Sequence, residues 1–118
     1  MSDYRNLDVW RKAHALTVIV YGITASFPKS ETYGMVSQMR RASSSIPTNL
    51  AEGSGRSSDR DYARFVSNAI GSTSELEYHL LLAGDLGYLR NGAGDEAQAL
   101  TAEVRRMLVA FRRTLTAL

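Results

Sequence analysis

The 118-residue sequence contains no cysteine, and that absence removes disulfide frameworks, thiolate zinc sites and thiol catalysis together. It also fits a reducing compartment. Histidine is scarce, with His14 and His79 alone. Proline occurs only at positions 28 and 47. No long apolar run is present: residues 16–23 form the most apolar stretch, yet it contains Thr17, Tyr21 and Gly22 and is far too short to cross a bilayer. Residues 1–8 are polar and mixed in charge, unlike a cationic segment leading into an apolar one. These absences predict a cytoplasmic single-domain protein with no membrane association.

Charge is plentiful, and it is zoned. Residues 1–39 carry four basic and three acidic groups, and residues 40–64 carry five arginines against three acids. Residues 65–103 then hold six acids against Arg90, whereas residues 104–118 hold four arginines and no acid. Twelve of the fourteen basic residues are arginine, the side chain whose planar fork suits carboxylates and phosphates. Such zoning points to an anionic partner or to self-association through complementary zones.

The apolar residues recur at helical spacing throughout. Leu7, Trp10, Ala13, Leu16 or Thr17, Val20, Ile23 and Phe27 form one stripe, which Pro28 ends. A second helix is predicted from near Ser30 as N-cap, with Met35, Met39, Ala42, Ile46 and Leu50 inward and a kink at Pro47. It is expected to end at Gly53, with Gly53-Ser54-Gly55 as a tight turn. A third helix opens at Ser58-Asp59-Arg60-Asp61, close to a capping box. It carries Tyr62, Phe65, Val66, Ala69, Ile70, Leu76, Leu80, Ala83 and Leu86 on to about Leu89. Gly71 within it is read as a point of close helix contact. Asn91-Gly92-Ala93-Gly94 is the clearest linker, after which Asp95 is expected to cap a fourth helix with Leu100, Val104, Met107 or Leu108, Phe111, Leu115 and Leu118 inward. Four helices joined by short loops predict an all-α, antiparallel up-and-down four-helix bundle over residues 1–118.

A bundle invites a di-iron reading, which requires inward glutamates and Glu-x-x-His on two helices. Neither histidine has Glu three residues before it. Glu75 and His79, four apart, read as a solvated pair. Ser43-Ser44-Ser45 lacks a nucleophile-elbow context, and serine before a helical proline reads as a partner for freed carbonyls. The glycines at 53 and 55 lack the Lys-Ser/Thr of a phosphate loop. No catalytic residue, metal ligand or cofactor is therefore expected.

Two arginine groups remain. Arg41, Ser45 and Asn49 recur every four residues, near Glu52 and Arg56. They read either as an intramolecular or subunit-interface network, with Glu52 paired to Arg41 or Arg56, or as a phosphate-contacting surface. Arg105 with Arg112, and Arg106 with Arg113, are each seven apart and so lie on nearly the same face. Four arginines in nine residues exceed what a helix C-terminus needs to offset its dipole. Aromatics do not alternate with these arginines, and Trp10, Phe27, Phe65 and Phe111 read as core. Any nucleic-acid contact should then be electrostatic and weakly sequence-specific.

Several blocks together resemble one small bacterial family. They are Leu7-Asp8-Val9-Trp10-Arg11-Lys12-Ala13, Phe27-Pro28 with Glu31 and Tyr33-Gly34, and Gln38-Met39-Arg40-Arg41-Ala42. Ser45-Ile46-Pro47-Thr48-Asn49-Leu50-Ala51-Glu52-Gly53, Gly71-Ser72 with Glu75-Leu76-Glu77, and Leu86-Gly87-Tyr88-Leu89 complete the set. The family is the four-helix-bundle proteins first noted as reading frames in intervening sequences of bacterial 23S ribosomal RNA. The resemblance implies a ring-like homopentamer. Accessory proteins of diversity-generating retroelements look related, and they bind nucleic acid and a reverse transcriptase as pentamers. The combined expectation is a non-enzymatic homo-oligomer that binds RNA or DNA, with or without a nucleic-acid-processing protein partner. Arg40, Arg41, Arg56, Arg60 and Arg64 are the first expected contacts, then Arg105, Arg106, Arg112 and Arg113. Pro47, Asn49, Glu52 and Gly53 are expected to serve structure or an interface. The competing expectation is a scaffold without nucleic-acid binding, whose arginines form intersubunit salt bridges.

Overall fold

A computed structural model of the chain describes residues 3–117, so Leu118, placed on the inward stripe of the last helix, lies outside the described residues. Four helices form a bundle: α1 (Asp8–Thr24), α2 (Ser37–Ser54), α3 (Asp59–Asp85) and α4 (Asp95–Thr116). No strand occurs among the described residues. The body measures 47 × 23 × 20 Å. Leu16, Met39, Ile46, Leu50, Leu76, Leu80 and Leu108 are fully buried along its axis, each from the stripe its spacing indicated. Trp10 and Phe111 pack only partly buried against this core.

Side-chain contacts fix which helices are neighbours. Thr17 of α1 donates to the Ser43 carbonyl of α2, Ser45 of α2 meets Ser72 of α3, and Arg112 of α4 donates to Ser67 of α3. Lys12 of α1 pairs with Glu103 of α4. The first of these contacts also resolves the effect of Pro47. A helical proline crowds and frees the carbonyl four residues earlier, here Ser43, and the Thr17 hydroxyl stands 3.0 Å from it, sharing its one proton with the Ala13 carbonyl of its own helix. The hydroxyls of Ser43, Ser44 and Ser45 turn instead to the carbonyls of Arg40, Arg41 and Ala42.

The helical dihedrals break not at Pro47 but earlier. Before α2 stand a 3-10 turn (Lys29–Glu31) and a π-helical segment (Thr32–Val36), in which Gly34 has φ −108° and ψ −108°. Ser30 is not the cap. Glu31 takes that role, its carboxylate accepting from the Met35 N–H and from the Tyr88 hydroxyl at 2.9 Å.

Three other helix ends differ from the sequence reading. α3 stops at Asp85, where Gly87 at φ +77° allows the Gly87 and Tyr88 N–H groups to meet the carbonyls of Gly84 and Ala83. Gly94 rather than Asp95 is the N-cap of α4. Gly53 lies inside α2, which ends one residue later, and Gly55 keeps a negative φ. The Ser58 cap of α3 is as expected, accepting from the Asp61 N–H.

Gly53 serves close packing. A Cβ there would overlap the Tyr62 ring and stand 3.0 Å from the Phe65 Cβ. Gly71, read as a close contact, is exposed, and a Cβ added there would have nothing within 4 Å. The two glycines should thus respond oppositely to alanine. In urea unfolding, Gly53→Ala is expected to lower stability by about 1–3 kcal/mol through overpacking. Gly71→Ala is expected to raise it by about 0.5–1 kcal/mol through helix propensity.

Candidate nucleic-acid interface

The corner between α2 and α3 gathers the first arginine group. Arg56 follows α2 and lies over the Phe65 ring, 4.6 Å from its centroid, and Arg64 lies at the same distance. Asp61 stands between them, 2.9 Å from Arg64 and 3.8 Å from Arg56. Aromatic and arginine side chains are therefore interleaved in space, although the sequence does not alternate them. Phe65 itself is buried, so its face is available only to these guanidinium groups.

The α4 arginines join this corner through Arg112, whose guanidinium donates to Ser67 at 3.2 Å. Arg60, Arg64 and Ser67 follow one another at i, i+4 and i+7 and share a face of α3. Arg105 lies two turns from Arg112, about 10.5 Å along α4. Among the described residues, no ion pair engages Arg60, Arg105, Arg106, Arg112 or Arg113. The exposed acids Glu75, Glu77, Asp85, Asp95 and Glu96 fall in the later half of α3 and the start of α4. Exposed Glu52 and Asp59 and the half-buried Asp61 flank the arginines themselves, so the zones of the chain do not separate into two ends of the bundle.

The remaining residues of the arginine-rich block do not converge. Arg40 is committed to the end of α1: it donates to Thr24 and to the Tyr21 carbonyl and stacks on the Tyr21 ring at 4.5 Å. Exposed Arg41 lines a polar cleft of about 320 Å³ between α2 and α3 with Gln38, Ser45, Ser72 and Glu75. Asn49 donates to the Ser45 carbonyl. Glu52 is exposed, and neither Arg41 nor Arg56 pairs with it among the described residues. Within one copy of the chain Arg56 turns instead to Phe65 and Asp61.

His79 is buried with Nδ1 lacking a partner, which replaces the solvated Glu75 pair read from the sequence. Among the described residues, no three His, Asp or Glu side chains stand close enough to share a metal ion. Sequence reasoning missed Thr17, the Glu31–Tyr88 contact and the role of Asp61. The first two are partnerships 26 and 57 residues apart, for which local spacing carries no signal.

Two tyrosines have displaced acidities. Burial pushes the Tyr62 phenol above its ordinary 10.0, and its hydroxyl has no hydrogen-bond partner. The hydrogen bond to the Glu31 carboxylate, then burial, pushes Tyr88 up. A raised folded-state pKa means stability present below pH 10 and lost as pH rises through the folded value. Denaturant titrations between pH 9 and 12 should show this decline, and the Tyr62→Phe/Tyr88→Phe double variant should flatten it.

The comparisons with known proteins agree with this fold. A crystal structure of a protein with unknown function from the S23 ribosomal protein family, from Bacteroides thetaiotaomicron VPI-5482, superposes with a TM-score of 0.79 at 20% identity. The overlap covers 89% of this chain and 98% of that one. No curated protein matches the sequence. The family model of the 23S rRNA-intervening sequence protein matches residues 5–110. The chain belongs to the 23S rRNA-intervening sequence protein family.

Proposed function

We propose that the protein binds nucleic acid, RNA or DNA, by phosphate neutralisation and catalyses no reaction on it. The observation that carries this reading is the set of arginines free of ion pairs at the start of α3 and along the second half of α4: Arg60, Arg105, Arg106, Arg112 and Arg113. Rigid helices hold them, and Asp59 and Asp61 are the acids of the first turn of α3 beside them. Such an arrangement attracts a polyanion and releases its counterions. Arg56 and Arg64 extend the surface across the corner. Arg40 drops out because its guanidinium is spent on α1, and Arg41 stands apart beside Glu75.

Self-association belongs to the same reading, with the four helices as an antiparallel up-and-down bundle in a cytoplasmic, ring-like homopentamer. Tyr78 and Leu81 of α3 and Val18 and Tyr21 of α1 are exposed apolar side chains on two different helices. A contact between unlike faces of successive copies closes into a ring when the rotation allows. A nucleic-acid-processing protein is a fitting further partner. The same exposed side chains favour the competing scaffold, in which arginines of one copy meet the acidic half of α3 on the next.

Size-exclusion light scattering with a short structured RNA at low and high salt separates the two. The expected result is one oligomeric particle that takes up RNA at low salt and releases it at high salt. Arg105→Glu/Arg112→Glu should keep the particle, weaken RNA binding more than tenfold, and reduce the salt slope by about 0.7–0.9 for each phosphate no longer neutralised. A particle that ignores RNA at every salt supports the scaffold and rejects nucleic-acid binding.

A further inference from the structure

Beside the arginine corner lies a cleft of about 410 Å³, bounded by the N-terminal turn, the α2–α3 turn and the last turns of α4. Its floor is apolar and aromatic: Tyr4, Leu7, Tyr62, Phe111 and Leu115. The rings are held in place by others. Tyr4 packs edge-on against Trp10 and Tyr62 against Phe111, each with centroids 5.2 Å apart. Arg56 lines the cleft and also stands over Phe65. The acids on its wall are unequal: Asp3 is neutralised by Arg5 at 2.8 Å, leaving Asp59 unpaired among the described residues.

Asp61 bridges the two arginines. One of its oxygens takes both Nε and Nη2 of Arg64, and the other faces Nε of Arg56. A phosphate group carries anionic oxygens that accept from arginine N–H groups as a carboxylate does. Asp61 thus hydrogen-bonds Arg64 and stands 3.8 Å from Arg56, so two guanidinium groups stacked on Phe65 flank one anionic position.

We propose that this corner is a subsite for one unpaired nucleotide. Its backbone phosphate replaces the Asp61 carboxylate between Arg56 and Arg64, and its base enters the adjoining aromatic cleft. This rests on the nucleic-acid reading above and sharpens it to a strand preference. The free arginines of α4 contact phosphates and are blind to strandedness. A base inside a duplex cannot reach the cleft without being unpaired and unstacked, which costs energy that a single strand does not spend. Base–aromatic stacking is tolerant of sequence, so the preference is for single strands, with little choice among bases. Unpaired Asp59 on the wall disfavours a second phosphate at the α3 N-terminus and keeps the phosphate on the Arg56 side.

Fluorescence anisotropy with a short labelled RNA lacking self-complementarity, alone or annealed to its full complement at one low salt concentration, tests the subsite. The single strand should bind about tenfold more tightly. Tyr4→Ala, outside the four helices, should lower single-strand affinity about tenfold and leave duplex affinity unchanged. Asp61→Asn should raise affinity for both forms by removing the internal competitor. Duplex binding as tight as single-strand binding, or a strand preference that survives Tyr4→Ala, overturns the subsite while leaving the electrostatic surface intact. A fall in affinity on Asp61→Asn overturns the exchange of carboxylate for phosphate. Binding of neither form overturns the nucleic-acid reading and the subsite together.

Discussion

The tightest packing at any glycine of the bundle occurs where α2 passes over the start of α3, and it exists because Gly53 has no side chain. The Tyr62 ring fills the space that a Cβ would claim, and the Phe65 Cβ stands just behind it. This contact sets the turn between the two helices, and the turn sets where Arg56 emerges. Arg56 lands on the Phe65 ring, Asp61 follows in the first turn of α3, and Arg64 closes over the same ring from the next turn. A corner built on one missing methyl group thus arranges an aromatic side chain, two cations and one acid. The first half of α3 is then presented beside α4, where Ser67 receives Arg112.

The arginines divide by how far the fold has already used them. Arg40 is consumed inside the protein, tying α2 to the end of α1. Arg56 and Arg64 are half-committed, stacked and shared with one carboxylate. Those of α4 are uncommitted, apart from one hydrogen bond to serine. Exposed ion pairs contribute little to stability, so leaving the last group unpaired costs the fold little and leaves its charge available to a partner. The opposite end of the bundle is organised differently. There Glu31 links the π-helical entry of α2 to Tyr88, and Phe27 packs against the Tyr88 ring at 5.3 Å. That end is held by a polar clamp, so it reads as structural support.

The helical stripes were legible because burial of Leu16, Ile46, Leu76 or Leu108 follows directly from spacing. The charge zones were a weaker guide, because the short turn between α2 and α3 sets Asp59 and Asp61 among the arginines. Glycine and proline were less informative. Gly53 and Gly71 look alike in a helical sequence, yet one avoids an overlap and the other faces open space. Pro47 announced a freed carbonyl but not that Thr17 would satisfy it from another helix. The arginine corner was visible as residue types only. Its geometry depends on the side chains of Phe65 and Asp61 turning toward a residue that follows a different helix, and no spacing rule specifies that.

The most direct test of this functional reading is hydrogen-exchange protection mapped along the full chain, with and without single-stranded RNA at low salt. Binding through these arginines should slow exchange over residues 56–67 and 105–113 and leave residues 29–36 and 81–90 unchanged. Protection concentrated at residues 29–36 and 81–90, or no change at any segment under conditions of saturating RNA, would contradict it.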